Sequence, residues 1–414
     1  MTLSQELISR GFVDKTTFKD ISELDKKQFI FYFGVDPSAD SMTIGNLAMA
    51  MMIKLFIKYG HKAFLLTGGA TGLIGDPDGK ASSRELKSVN KIEHNKKAIA
   101  NQYKQIFNQS DFTLVDNYDW FHDFNYLEFL REVGIHIPLR QMLNREFIQT
   151  RLKNVNSGLN YAEFSYVLIQ AYDFYYLNNK YGVNLQLCGA DQWGNSIAGI
   201  DLIRRINGNN THVYAGPLIV DPSTGRKFGK SETGAIWLDK NKTPVIDFYQ
   251  FWLNVNDEHL EHYLNIYSDY DTDKRQEILA KHRQDPKSRE GQYALADNIT
   301  KIVHGEIELK TAQTIGRILN NKISLEEITS KELELLRQSE RSIKIESKLS
   351  LKEILVKSGL ASSLTQATQL IKDGGIYLNN RPIKQEHLNS ESFINGVGLL
   401  RKGKAYKDTI VLMN

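Results

Sequence analysis

The chain has 414 residues, 41% hydrophobic and 24% charged, with a formal net charge of +3. That length exceeds one ordinary domain, so two or three are expected, and the apolar content is ample for real cores. A single cysteine, Cys188, excludes an internal disulfide framework and fits a reducing compartment, where it reads as a small buried apolar residue. The start, MTLSQELISRGF, reads as an amphipathic helix and not a signal peptide, and no apolar run is long enough to span a bilayer. No membrane is expected, and the cytoplasm is the default location. The charge is uneven: from Glu346 onward there are ten Lys and Arg against six Asp and Glu, a local balance of +4. That tail suits either a module facing an anion such as RNA or a plain solvated basic surface.

Residues 1–29 read as a helix and a charged segment. Gln28 to Val35 is apolar and aromatic enough for a buried strand, which breaks at Asp36-Pro37-Ser38. Thr43 then reads as an N-cap, and Ile44, Leu47, Ala48, Met51, Met52, Leu55 and Phe56 recur at helical spacing until Gly60. Strand, polar turn and helix N-terminus together aim backbone N–H groups at whatever sits above the turn, commonly a phosphate. The same pattern fits an ordinary βα unit. Lys62 to Thr67 is a second strand, ending in the glycine-dense GGATGLIGDP, where positive φ and close approach of a ligand are expected.

Val89 to Phe107 reads as a helix, Phe112 to Val115 as a strand and Trp120 to Val133 as a helix. This alternation predicts a doubly wound parallel sheet with ligands at the carboxyl ends of its strands. Asn144 to Tyr181 is mostly helical, and Tyr166, Gln170 and Asp173 fall on one face of it. Val183 to Leu187 is a strand entering GADQWGN, and Pro217 to Val220 a short one before the polar loop DPSTGRKFGKSETG. Lys227, Lys230 and Ser231 in that loop suit polyphosphate, although an exposed hairpin tip is the more common reading of an isolated KxxK. Thr243 to Leu319 is helical, Asn320 to Ser347 charged and loosely patterned, and Lys348 to Asn414 mixed helix and strand.

Taken in order, YFGVDPSADS, GGATGLIGDP, DNYDW, FSYVLIQAYDF, GADQWGN and KFGKS resemble the bacterial-type tyrosyl-tRNA synthetases, a class I aminoacyl-tRNA synthetase family. The likeness runs nearly the whole length. The tail segment SSLTQATQLIKDGGIYLNNRPI resembles the small RNA-binding module shared with a ribosomal small-subunit protein, with Leu364 where that module often has arginine.

The resemblance implies an α/β protein: a Rossmann-like doubly wound parallel sheet in a catalytic domain over 1–222, then the KFGKS loop and an all-helical, anticodon-side domain over 223–319. A linker over 320–347 and a small basic α+β RNA-binding domain over 348–414 complete it. It implies that Tyr32 and Asp173 hold a substrate phenol, that Asp76, Tyr166 and Gln170 receive the α-amino group, and that Gln192 lies near the carboxylate. Gly34, Asp36, Gly45, Asp191 and Lys230 become ATP contacts, with Asp191 on the ribose. Ser38, Thr43, Asn46, Lys80, Arg84, Lys227, Lys230 and Ser231 become the pyrophosphate and catalytic set. The implied substrates are L-tyrosine, tRNA(Tyr) and ATP accompanied by Mg2+, with no tightly bound cofactor and no resident metal, in a homodimer.

Two departures stand out. The family's His-x-Gly-His signature is here Thr43-Ile44-Gly45-Asn46, and Phe33 stands where relatives often have a small residue beside the ribose. Losing a charge-assisted bond of roughly 1.5–3 kcal/mol at Thr43 would slow activation by about ten- to a few hundredfold unless compensated. An RNA-binding paralogue without activation chemistry is the rival reading these departures favour, and the intact KFGKS, Asp191 and Asp173 count against it. A third reading, activation of tryptophan or a modified tyrosine, is opposed by the paired Tyr32 and Asp173.

Overall fold

The computed structural model describes residues 1–77, 87–107, 111–143, 146–153, 159–220, 228, 230–231, 234–319, 322–339, 341–345, 349–403 and 409–413. The chain divides into two compact units, one of residues 1–243 and 252–303, the other of residues 244–251 and 304–414.

The first unit is built on a six-stranded sheet. Its strands are β1 (Lys15–Thr16), β2 (Ile30–Val35), β3 (Lys62–Thr67), β4 (Phe112–Asp116), β5 (Leu185–Gly189) and β6 (His212–Gly216), in the order β1-β6-β5-β2-β3-β4. All neighbours run parallel except the edge strand β1, which pairs antiparallel with β6. Near-continuous apolar strands such as Phe31-Tyr32-Phe33 and Ala63-Phe64-Leu65-Leu66 are buried, as a parallel sheet covered on both faces requires.

The helices between these strands are α1 (Leu3–Arg10), α2 (Ile44–Lys58), α3 (Gly69–Ile74), α4 (Val89–Ile106), α5 (Tyr118–Phe121) and α6 (Tyr126–Glu132). They continue with α7 (Leu139–Leu143), α8 (Glu146–Lys153), α9 (Tyr161–Tyr181) and α10 (Trp193–Asn207). Thr43 is the N-cap of α2, as expected, and α9 opens on a reciprocal capping box between Asn160 and Glu163.

Three local expectations are corrected. The GGATGLI stretch, where positive φ is expected, is helical from Gly69 to Ile74, because Asp116 Oδ1 and Asn117 Oδ1 accept from the Gly69 and Ala70 N–H groups at its start, at 3.1 and 2.7 Å, and the positive φ falls on Gly75 at its end. The strand expected over 217–220 lies instead at His212–Gly216, with Pro217, which has no N–H to give a ladder, just past its end. The helix expected over 120–133 is two, divided where Asn125 caps α6 through the Leu127 N–H at 2.9 Å.

Beyond the sheet come the strand pair β7 (Lys230–Ser231) and β8 (Gly234–Ala235), then α11 (Val245–Leu253), α12 (Asp257–Tyr267), α13 (Thr272–Gln284) and α14 (Glu290–His304). Buried Arg10 on α1 serves α12 as an end cap, donating to the carbonyls of Asn265 and Ser268 at 2.9 and 2.7 Å while paired with buried Glu6 at 2.9 Å.

At the head of β3, buried His61 accepts the Phe29 N–H through Nδ1 at 3.0 Å, and burial pushes its imidazole down to about 4. Protonation destroys that acceptor, so the folded state keeps His61 neutral while the unfolded chain takes up the proton near pH 6.5. Stability is therefore present above that value and drains away as pH falls toward 4. We expect a loss of about 1–2 kcal/mol between pH 7.5 and 5.5 from this group. Urea denaturation of wild type and His61→Asn, whose Oδ1 can take the place of Nδ1, should show this part of the slope removed in the variant.

The second unit carries α15 (Glu306–Leu319), α16 (Ser330–Arg337), β9 (Ser342–Lys344), α17 (Leu351–Lys357) and α18 (Leu364–Lys372). Strands β10 (Ile376–Leu378), β11 (Arg381–Pro382), β12 (Val397–Lys402) and β13 (Thr409–Met413) complete a sheet ordered β11-β10-β12-β13-β9. Leu351, Ile354, Leu355, Ala367, Ile376, Leu400 and Leu412 form its core. Asn379 and Asn380 turn β10 into β11 with φ of 47° and 65°, the left-handed pair that a two-residue hairpin needs. The stretch 320–347, expected to be a linker, is part of this unit's fold where it is described. A Thr329–Glu332 capping box starts α16, and β9 pairs parallel with β13.

Candidate active site

The strand order reverses direction between β2 and β5, so the connections leaving their carboxyl ends diverge and open a crevice. A cavity of about 320 Å3 lies there, bounded by the turn after β2, the start of α2, one face of α9 and the Gly189–Gln192 turn. Tyr32, Gly34, Asp36, Ser38, Thr43, Gly45, Asn46, Asp76, Tyr166, Gln170, Asp173, Asp191 and Gln192 all line it. The two helical steps of α9 that align Tyr166, Gln170 and Asp173 put all three on its wall, as their spacing predicts.

Its closed end is polar and buried. Asp173 is 2% exposed, and its two oxygens accept from Asn117 Nδ2 at 3.1 Å and Trp120 Nε1 at 2.9 Å. Burial lifts its carboxyl well above the usual range, against the pull of those two donors. Tyr32, also 2% exposed, has a hydroxyl with no hydrogen-bond partner among the described residues, and burial followed by the Asp173 charge pushes its phenol up. A buried orphan hydroxyl beside a buried carboxyl suits a ligand hydroxyl that donates to one and accepts from the other.

One step outward, the Tyr166 hydroxyl donates to Asp36 Oδ2 at 2.8 Å, and Thr71 Oγ1 donates to Asp36 Oδ1 at 2.6 Å. Gln192 Nε2 donates to Asp76 Oδ2 at 2.5 Å, and the buried Oε1 of Gln170 has no partner among the described residues. Burial, then Asp36 and Asp76, raises the Tyr166 phenol, which marks this as an electronegative step suited to an ammonium group. Asp36, expected among ATP contacts, is thus tied to the tier of Tyr166.

Gly68 and Gly69, just after β3, serve close packing of side chains, and the positive φ expected of this stretch is found at Gly75, at 80°. A Cβ at Gly68 would overlap Thr71 Oγ1 and Asp36 Oδ1, and one at Gly69 would overlap Asp116 Oδ1 and come within 2.9 Å of Tyr118 Cβ. Gly68→Ala must therefore break the Thr71–Asp36 bond. We expect it to cost about 1–3 kcal/mol, seen as a lower urea midpoint with an unchanged slope.

The mouth is made by the first signature. Asn46 Oδ1 accepts from both the N–H and the hydroxyl of Thr43, each at 3.0 Å, so the Thr43 hydroxyl is spent on orienting Asn46. The Ile44 N–H, expected to face a ligand, donates to Ile236 O at 3.1 Å. Ser38 and Gly34 are exposed on the cleft, and a Cβ on Gly34 would touch only Leu66 at 3.6 Å, so any side chain there would project into it. Asp191 is exposed at the far lip, close against Gly189. Phe33 is 9% exposed and lines the cleft. Cys188 is buried, its thiol pushed up to about 12 by burial, as expected for an unreactive packing residue. Lys80, Arg84 and Lys227 lie outside the described residues, and Lys230 and Ser231 form β7.

Asn117 and Trp120 were legible only as part of the DNYDW stretch, with no role attached. The signal available was a polar pair just past the end of a strand whose neighbours already carried site residues. Among the described residues no group of three or more His, Cys, Asp or Glu is placed to hold a metal ion, and no helix is long and apolar enough to cross a membrane.

A parallel sheet opened at its switch point, with an α-helix start at the cleft mouth, defines a doubly wound α/β fold of the nucleotide-binding kind. The family model for class I tRNA synthetases (W and Y) matches residues 24–319, and the S4 domain model matches 351–388. The chain belongs to the class I tRNA synthetase family of the tryptophan and tyrosine type, and it carries a C-terminal S4 domain. It is 36% identical over 412 residues to the tyrosine–tRNA ligase of Staphylococcus epidermidis strain RP62A, covering 97% of each chain. It is 39% identical over 393 residues to tyrosine–tRNA ligase 1 of Pseudoalteromonas translucida, covering 93% of each. The fold matches a crystal structure of a C-terminally truncated mitochondrial tyrosyl-tRNA synthetase from Aspergillus nidulans with a TM-score of 0.68 and 27% identity, covering 76% of this chain and 93% of that one.

Proposed function

We propose that this chain activates L-tyrosine with ATP and transfers it to the 3′-terminal ribose of tRNA(Tyr). The observation that carries the reading is the orphan Tyr32 hydroxyl beside the Asp173 carboxyl at the closed end of the cleft. A phenol entering there donates to Asp173 and accepts from Tyr32, and it places its α-amino group among Asp76, Tyr166 and Gln170. Phenylalanine would leave the buried Tyr32 hydroxyl unpaired and give Asp173 no donor beyond Asn117 and Trp120, and tryptophan offers a donor but no acceptor.

The tyrosine carboxylate attacks the α-phosphorus of ATP, the bond to the bridging oxygen breaks, and pyrophosphate leaves tyrosyl-adenylate behind. The terminal ribose hydroxyl of the tRNA then attacks the acyl carbon and AMP departs. No side chain is a nucleophile in either step. Gln192 holds the tyrosine carboxylate, and Asp191 at the lip takes the ribose. Gly34, Asp36 and Gly45 border the nucleotide end. Ser38 and Asn46 at the head of α2, the latter oriented by Thr43, together with Lys80, Arg84, Lys227, Lys230 and Ser231, meet the phosphates and neutralise the leaving pyrophosphate. ATP comes as its magnesium complex, the ion held by the phosphates.

A second copy of the chain is the partner we infer for the first unit. Leu127, Ile135, Leu139 and Leu152, from one stretch of chain, are 69%, 74%, 60% and 56% exposed, an expense of apolar surface that a homodimer would remove. The single cysteine and the bacterial character of the relatives favour the cytoplasm.

Tyrosine-dependent ATP–pyrophosphate exchange, with phenylalanine and tryptophan as controls, tests the activity. Exchange with tyrosine alone is expected. No exchange with any of them, in a folded protein that still binds tRNA, would leave an RNA-binding paralogue in its place.

A further inference from the structure

The segment that follows the β7–β8 hairpin is fastened to the segment that precedes α2. Thr43 and Trp237 form an antiparallel bridge, Ile44 N–H donates to Ile236 O at 3.1 Å, and Leu238 N–H donates to Met42 O at 2.9 Å. Asp239 N–H donates to Ser41 Oγ at 3.1 Å. At the open end of this junction stands an ion pair that the activation chemistry does not use: Lys242 Nζ lies 2.6 Å from Asp40 Oδ1, with the two side chains 32% and 25% exposed. The Lys242 ammonium also sits 4.8 Å above the Trp237 ring, so one cation holds both strands of the junction.

We propose that Asp40 and Lys242 are positioning residues: their ion pair latches the chain emerging from the Lys230–Ser231 hairpin onto the start of α2, fixing the two halves of the pyrophosphate site relative to each other. The inference rests on the activity proposed above.

The chemistry of the pair fits this task. Lys242 holds the Asp40 carboxyl below its ordinary range, so the carboxylate is charged at any working pH. Lys91 at 3.6 Å and His94 at 3.8 Å, both from α4, face its other oxygen, so Asp40 ties together three segments: α4, the turn before α2 and the exit of the hairpin. Neither Asp40 nor Lys242 lines the cleft. They act on the reaction only by where they hold Thr43, Asn46 and β7, which are placed by the same bridge. An error of about 1 Å between groups that share one transition state can be costly in rate while barely changing substrate binding.

The test is a double-mutant cycle in the full-length protein. Lys242→Met keeps the aliphatic stem over Trp237 and removes only the charge. It should lower kcat for tyrosine-dependent exchange about three- to tenfold with KM for tyrosine unchanged, and Lys242→Arg should restore it. Asp40→Asn, which also removes the charge facing Lys91 and His94, should lose at least as much, and the double variant should be no worse than Asp40→Asn alone. A Lys242→Met enzyme with wild-type kcat, or losses that multiply in the double variant, would overturn the latch. Amide hydrogen exchange at Ile44 and Leu238, whose N–H groups bond across the junction, gives a reading independent of activity. It should speed up about fivefold in Lys242→Met, and unchanged rates would refute the latch. If wild type shows no exchange with tyrosine, the proposed activity fails, and the hydrogen-exchange result still decides the latch.

Discussion

Replacing Asp173 by alanine is expected to remove the enzyme's preference for tyrosine over phenylalanine. Two consequences of one deletion produce this. The substrate phenol loses the acceptor for its proton, a charge-assisted bond of roughly 1.5–3 kcal/mol, which corresponds to about a ten- to 150-fold drop in kcat/KM for tyrosine. Phenylalanine never made that bond, so its own kcat/KM stays within a few fold and discrimination collapses. Asn117 Nδ2 and Trp120 Nε1, which now donate to Asp173 at 3.1 and 2.9 Å, are left without their acceptor, so a modest loss of stability accompanies the change. Asp173→Asn keeps the volume and one acceptor oxygen but turns an NH2 toward the other donor, so it should restore part of the stability and only part of the tyrosine preference. The pH profile supplies an independent reading. Because burial holds the Asp173 carboxyl above the ordinary range, acidification protonates it early and removes the acceptor. The kcat/KM for tyrosine should therefore fall on the acid side more steeply than that for phenylalanine. A tyrosine-to-phenylalanine ratio that survives Asp173→Ala would remove Asp173 from the phenol site.

The parts of the site that could be read from sequence are those in which a local rule and the fold agree. The strand through Tyr32, the Pro37 break and the Thr43 cap each obey a rule that operates within a few residues, and the structure keeps all three. Tyr166, Gln170 and Asp173 were legible because helical spacing alone puts them on one face. What was not legible depends on partners far along the chain. The glycines of α3 argue against a helix by propensity, and it forms because Asp116 and Asn117, 47 residues away, accept its first N–H groups. Asn117 itself reaches Asp173 across 56 residues, a distance at which no pattern in the sequence speaks. The strand at His212–Gly216 is chosen by neighbours on both sides, β5 and β1, whereas Pro217 in the expected strand has no N–H to offer them. The stretch 320–347 looked like a linker because it is charged, yet its Thr329–Glu332 capping box was a readable helix start. Its strand β9 is three residues long and exists only because β13 lies beside it.

Removing the C-terminal region should abolish tRNA charging while sparing adenylate formation, provided the cut respects that strand. A cut after Ser347 would keep β9 but delete β13, leaving an unpaired edge and removing the Thr409 carbonyl that accepts from Arg341. A cut after Leu319 removes α16, β9 and the whole α17–β13 module together, and the truncated Aspergillus relative, which covers 76% of this chain, is a precedent for a fold that stands without its C-terminal part. All the cleft-lining residues precede the cut, so tyrosine-dependent pyrophosphate exchange should stay within about threefold of the full chain. Charging should fall by at least about a hundredfold, because exposed Lys357, Lys372, Arg381 and Lys384 leave with the module. Neutralising about four phosphates gives a salt slope steep enough to change RNA affinity by roughly that factor between 50 and 200 mM salt. The full-length protein should accordingly lose charging, and not exchange, over the same salt range. Leu364, 54% exposed at the first turn of α18 where an arginine is common, offers a gain-of-function control: Leu364→Arg should strengthen tRNA binding and steepen the salt dependence by about one phosphate. Charging that survives the cut would place tRNA recognition in the first unit, and loss of exchange together with charging would mean that the C-terminal region supports the catalytic fold itself.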